Sequence, residues 1–205
     1  MSAAFFSRDI VSLPPSSPGM RIGLFGGSFN PPHEGHRLVS RECLKRLDLD
    51  AVWWLVTPGN PLKDHSDLAP LDARVRAARA LVAGPRCHIT GFEAAHGFTY
   101  TFETLSHLQK TLPGRRFVWI MGADSLAGFH HWERWDEIFS MMPVAVYVRP
   151  GSTRKAAVSR AASRFRHGRI DESDARLLAT LDPPAWVFLH GLMSTLSSSQ
   201  LRSRK

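Results

Sequence analysis

The chain has 205 residues, 43% of them hydrophobic and 21% charged, with a formal net charge of +8. That size suits one domain, or one domain with a small appendage, and the composition is that of a globular protein able to bury a core. No window approaches the roughly 18 uninterrupted apolar residues a membrane span needs, and two cysteines, Cys43 and Cys87, are too few for a disulfide framework. The expected location is therefore cytoplasmic, with no membrane partner.

In chain order, residues 1–20 lack a basic n-region and an apolar core, so they read as a disordered leader rather than a signal peptide. Residues 21–205 are expected to form a single domain ending in a small helical segment. Arg21–Phe25 is an apolar strand halted by Gly26-Gly27. From Gly35 to Leu47 the apolar residues Leu38, Val39, Cys43, Leu44 and Leu47 recur at helical spacing. Ala51–Val56 is a second strand, and a Pro- and Lys-bearing loop follows it to Pro70. Asp72–Ala83 predicts a helix ended by Gly84-Pro85, and Cys87–Thr90 a third strand. Thr101–Leu112 predicts a helix, Phe117–Met121 a fourth strand, and Asp124–Phe139 short helical pieces. Val144–Val148 is a fifth strand, Thr153–Phe165 a basic helix, and Trp186–Leu189 a sixth strand.

The strands are continuous apolar runs and they alternate with helices. That pattern implies an α/β fold with a parallel sheet covered by helices on both faces, doubly wound and Rossmann-like. Ligands then sit beyond the carboxyl ends of the strands, so the loops after Phe25, Val56, Thr90, Met121 and Leu189 should share one rim. Charge is uneven: residues 152–205 hold ten Lys/Arg and four Asp/Glu. A basic surface favours anionic ligands, nucleotide phosphates or nucleic acid, although a solvated basic helix explains it as well.

The stretch "RIGLFGGSFNPPHEGHRL", Arg21 to Leu38, concentrates the chemistry. Gly26 and Gly27 carry no Cβ, so a phosphate can approach the backbone. Pro31 and Pro32 stiffen the loop. Gly35 stands where a helix begins, with free N–H groups and the positive dipole end turned toward the loop. His33 and His36, three residues apart, can face the same side and donate to phosphate oxygens. The string is neither a Walker loop nor G-x-G-x-x-G, and no carboxylate or cysteine at ligand spacing completes a zinc site.

"GLFGGSFNPPHEGH" resembles the G-x-F-x-P-x-H-x-G-H signature of the nucleotidylyltransferase superfamily, and "LSSSQLRSR", Leu196 to Arg204, resembles its second motif, I-S-S-T-x-x-R. "TPGNPLKDH" (Thr57 to His65), "TYTFETL" (Thr99 to Leu105) and "MGADSLAGFHHWERWDEI" (Met121 to Ile138) are similar to the nicotinate-nucleotide adenylyltransferases of that superfamily. The likeness runs in the same order from about Arg21 to Arg202.

The resemblance implies transfer of the adenylyl group of ATP to nicotinate mononucleotide, a step of NAD biosynthesis. It implies His36, His33 and Arg202 as catalytic groups. It assigns ATP to Gly26, Gly27, Ser28, Phe29, His33, His36, Gly122, Asp124, Ser198, Ser199 and Arg202. The mononucleotide falls to Lys63, Tyr100, Thr101, Trp132 and Glu133, with Trp132 stacked on the pyridine ring. Mg²⁺ is expected on the ATP phosphates, with no metal ligands from the protein. Trp135 reads as a hydrophobic anchor, and His130 and His131 as surface residues. The alternatives are another adenylyltransferase, acting on phosphopantetheine or nicotinamide mononucleotide, and a non-catalytic nucleotide- or nucleic-acid-binding protein. Nucleic acid is not the expected partner, and the sequence leaves open whether the chain forms a homo-oligomer.

Overall fold

The computed structural model describes residues 6–59, 67–82, 84–148 and 153–191. Six strands form one sheet: β1 (Arg21–Gly27), β2 (Ala51–Val56), β3 (Cys87–Thr90), β4 (Arg116–Gly122), β5 (Val144–Val148) and β6 (Trp186–His190). Every pairing is parallel and the order is β3-β2-β1-β4-β5-β6. All the carboxyl ends therefore lie on one rim. The order reverses between β1 and β4, which opens a crevice there.

Side chains alternate along each strand and so divide the core into two layers. On one face Phe25, Val52, Trp54, Val118 and Ile120 pack under α2 (Glu34–Arg46), α3 (Leu71–Leu81) and a 3₁₀ segment, Glu172–Thr180. On the other, Leu24, Trp53, Trp119 and Val146 meet α4 (Phe92–His96), α5 (Thr101–Thr111), α6 (Ala123–Ala127) and α7 (Trp135–Met141). The central β2 is buried at every residue, which is why its sequence is an unbroken apolar run. Among the described residues no helix is long and apolar enough to cross a membrane.

The leader departs from expectation. Residues 6–20 are not disordered but dock along the sheet, with a short helix at Arg8–Val11 whose Ile10 is buried. Gly91 N–H donates to the Ile10 carbonyl (2.8 Å) and Thr90 Oγ1 to that of Ser12 (2.8 Å). Arg79 reaches the Asp9 carboxylate (3.1 Å), and Arg115 the Ser16 carbonyl (2.9 Å). These partners are distant in sequence, and three of the four satisfy backbone carbonyls, so no local periodicity announces them.

The basic helix expected at Thr153–Phe165 is two helices, α8 (Thr153–Ala157) and α9 (Arg160–Arg164). Ser159 interrupts it because its hydroxyl caps the second helix, accepting from Ala162 N–H at 3.2 Å. Two pieces had no counterpart in the sequence reading: α4, closed by Gly97 at φ 66°, and the segment Glu172–Thr180, started by Asp171 accepting from Ser173 N–H (3.0 Å).

Candidate active site

The site is built around the carboxyl end of β1, where two glycines separate two aromatic layers. A Cβ at Gly26 would overlap the indole of Trp119 on one face; one at Gly27 would lie 3.2 Å from the ring of Phe29 on the other. Gly26 is needed because the Trp119 ring lies against the backbone, and Gly27 is closely packed by Phe29, a constraint beyond the close phosphate approach read from the sequence.

On the Phe29 face the histidines open α2. Phe29 turns through φ 45° and stacks on Trp54 with centroids 4.6 Å apart. His36 rests edge-on to Phe29 (5.0 Å) and Trp54 (5.8 Å), and its ring lies 3.8 Å from that of His33. His33 is buried and its N–H donates to His36 Nδ1 at 3.2 Å. In a neutral imidazole that accepts at Nδ1, the proton is on Nε2. Behind the pair, Trp54 Nε1–H donates to Ser40 Oγ (2.7 Å), and that hydroxyl donates to the His36 carbonyl (3.1 Å). Trp54 and Ser40 thus brace the first turn of α2, a contribution no motif signalled.

On the Trp119 face a cavity of about 440 Å³ opens, within the range of small-molecule sites. Gly26, Gly27, Ser28, Tyr100, Thr101, Trp132 and Glu133 all line it, so the structure brings these sequence-selected residues together. Trp132 forms a wall, 4.8 Å from Phe129 and roughly perpendicular to Trp119 at 6.4 Å. The opposite wall is the start of α5, where Glu103 Oε2 accepts from the N–H groups of Thr99 (2.8 Å) and Tyr100 (2.9 Å). Glu103 and Thr104 N–H donate to the Tyr100 carbonyl, which leaves the amides of Thr101 and Phe102 directed at the N-terminal end of the helix. Arg134 fastens the two walls: its guanidinium lies 3.7 Å over the Phe102 ring and pairs with Glu137.

Gly122 and Asp124 stand together at the end of β4, where the Asp124 carboxylate occupies the space a Cβ at Gly122 would need. Trp135 packs edge-on against Phe165 (6.0 Å) as an anchor. His131 is exposed but lines the cavity, whereas the sequence marked it only as a surface residue. Lys63, Ser198, Ser199 and Arg202 lie outside the described residues.

Sequence reasoning missed Glu93, a buried carboxyl on the cavity wall. Thr104 Oγ1 donates to it at 2.7 Å. Burial raises its pKa, opposed by hydrogen bonds from Thr104 and Thr57. The only hint in the sequence is an acidic residue one position after a buried Phe in a segment that carries no motif. Among the described residues no group of three or more His, Cys, Asp or Glu is placed to hold a metal ion.

A strand-end glycine pair, a histidine pair at a helix start and an aromatic slot across the sheet define a nucleotide-handling Rossmann-like enzyme. A family model described as cytidylyltransferase-like matches residues 24–204, and the chain belongs to that family, in its nicotinate-nucleotide adenylyltransferase branch. A protein of Methylorubrum extorquens named "Probable nicotinate-nucleotide adenylyltransferase" is 62% identical over 185 residues, 90% of this chain and 100% of that protein. One of the same name from Agrobacterium fabrum is 53% identical, covering 90% and 98%. The nicotinic acid mononucleotide adenylyltransferase of Plasmodium falciparum, solved with NaAD, superposes with a TM-score of 0.67 at 17% identity, covering 90% of this chain and 83% of that one. At that identity the likeness is one of fold.

Proposed function

We propose that this chain transfers the adenylyl group of ATP to nicotinate mononucleotide, giving nicotinate adenine dinucleotide and pyrophosphate. One observation carries the reading. The aromatic slot beside Trp132 and the imidazoles of His33 and His36 lie on opposite faces of the same strand end, and both border the Gly26–Phe29 backbone. Two ligands held in those half-sites meet across the glycines.

The pyridine ring stacks on Trp132, with its carboxylate at the first amides of α5 and the Trp132–Glu133 turn. ATP runs along Gly26–Phe29 toward α2, with Gly122 and Asp124 at its ribose. An oxygen of the mononucleotide phosphate bonds to the α-phosphorus. The bond from that phosphorus to the α–β bridging oxygen breaks, and pyrophosphate leaves with the electron pair. The nucleophile is already an anion, so orientation and charge neutralisation do the work. His36 donates from Nε2 to an α-phosphate oxygen, and His33 orients it. Arg202, Ser198 and Ser199 hold the departing phosphates, and Lys63 the mononucleotide phosphate.

The family typically works with a divalent metal. Mg²⁺ carried on the nucleotide phosphates would shield their charge. Two free thiols, Cys43 and Cys87, suit a reducing compartment, the cytoplasm.

The test is pyrophosphate release from ATP and Mg²⁺ with nicotinate mononucleotide, nicotinamide mononucleotide or phosphopantetheine as acceptor. Release with the first, at a kcat/KM above the other two, is expected. No release with nicotinate mononucleotide overturns the reading, and preference for another acceptor moves the chain to that substrate.

A further inference from the structure

Beneath the site lies a cation that nothing in the proposed chemistry uses. Arg74 sits in the first turn of α3 and is only 3% exposed. Its Nε donates to the Ala69 carbonyl (2.8 Å), and Nη1 to the carbonyls of Ser28 (2.7 Å) and Thr57 (2.8 Å). Nη2 reaches toward that of Pro58 (3.5 Å). Among the described residues none of its partners is a carboxylate, and burial lowers its pKa from the ordinary guanidinium value. A guanidinium stays protonated regardless.

A buried cation whose described partners are all carbonyls is costly, and an apolar side chain of similar volume would usually serve packing better. What Arg74 does in return is join three chain segments at the rim. Ser28 belongs to the loop after β1, Thr57 and Pro58 to the loop after β2, and Ala69 to the entry of α3. Asn30 makes a parallel tie, with Nδ2 donating to the Asp67 carbonyl (2.8 Å) and Oδ1 accepting from Ala69 N–H (3.3 Å).

The direction of these bonds matters. In a planar trans peptide the N–H points opposite to the carbonyl. Holding the Ser28 and Pro58 carbonyls turns the N–H groups of Phe29 and Gly59 away from the guanidinium. Ser28, Thr57 and Gly59 line the cavity. Oriented amides and a permanent positive charge then act on the same side, as in other anion-binding backbone concavities.

We propose that Arg74 is a positioning residue for phosphate: it holds the Ser28 and Thr57–Pro58 carbonyls so that the two rim loops present their amides to the anionic acceptor, and it contributes its own charge to that site. The inference rests on the phosphate-transfer reading of the cavity, with the acceptor a nucleoside monophosphate.

The experiment compares wild type with Arg74→Lys, Arg74→Ala and Arg74→Met, assayed for pyrophosphate release well below each variant's Tm. In Arg74→Met the KM for the mononucleotide rises about tenfold or more, the scale of lost charge-assisted hydrogen bonds, and kcat falls by a smaller factor. Arg74→Lys, which keeps the charge but not the fork, lies between. Guanidinium ion at non-denaturing concentration restores activity to Arg74→Ala, and urea, planar and similar in size but neutral, does not. Folded Arg74→Met with unchanged KM overturns the inference, as does equal rescue by urea. If Arg74→Met fails to fold, the Arg74→Lys kinetics and the Arg74→Ala rescue decide. A wild-type chain that releases no pyrophosphate refutes the reading of the cavity instead.

Discussion

The backbone N–H of His33 donates to Nδ1 of His36 at 3.2 Å. That bond ties the ring of the third residue of α2 to the residue that opens the helix. It also sets the tautomer, leaving Nε2–H as the donor on the far edge of the ring. A flexible side chain becomes a fixed dipole, held further by Phe29 and Trp54.

Replacing His36 with Ala should lower kcat by about 10²- to 10³-fold, the range for losing one preorganised donor to a developing anion. The KM values should change little, since the interaction strengthens in the transition state. Steady-state pyrophosphate release, with circular dichroism to verify folding, checks this. Turnover near wild type in a folded variant would remove His36 from the mechanism.

Trp132 should act on one substrate only. Trp132→Ala loses stacking worth about 1–3 kcal/mol, which raises the mononucleotide KM roughly 5- to 150-fold. The KM for ATP should stay within about threefold, because Trp132 lies on the Trp119 face and the histidines on the other. Trp132→Phe should recover most of the loss. Equal changes in both KM values would mean that the two half-sites are not separate.

Gly26 and Trp119 should be coupled. Gly26→Ala drives a methyl into the indole and should cost about 1–3 kcal/mol of stability, with a narrowed cavity raising the mononucleotide KM. Trp119→Phe vacates part of that space, so the double variant should be more stable than the two single losses predict. Denaturant unfolding of the four proteins measures the coupling. Strict additivity would show that the ring yields freely.

Glu93 makes stability depend on pH in a definite sense. Burial raises its pKa above the ordinary 4.5, so the folded chain retains a proton that the unfolded chain releases. Stability attached to that proton is present below about pH 4.5 and is lost as pH climbs through the folded value. Glu93→Gln keeps an acceptor for Thr104 and does not titrate. Its Tm relative to wild type should therefore rise with pH above about 4.5 and then level off. A Tm difference that is flat across that range would show that Glu93 has the same pKa in both states.

Much of this molecule was legible in one dimension. Unbroken apolar runs such as Ala51–Val56 can only belong to strands buried on both faces, and their alternation with helical periods dictates a parallel, doubly wound sheet. The glycine pair, His33 and His36 were legible because they stand within one short segment whose spacing carries the chemistry. The docking of residues 6–20 was not, because its contacts are a carboxylate and a backbone carbonyl met by Arg79 and Arg115 from far along the chain.

What belongs to the tertiary structure alone is the coupling between segments. Trp119 fills the space over Gly26, Trp54 braces the histidine turn through Ser40, and Glu93 is buried beside Thr104. Arg74 reads in sequence as one more basic residue of an amphipathic helix, and only the packing of α3 against the rim turns it into a buried clamp. Periodicity and spacing are local properties that a sequence displays directly. Burial and the choice of hydrogen-bond partner depend on which distant segments meet, and that is settled only when the sheet closes over its two layers of helices.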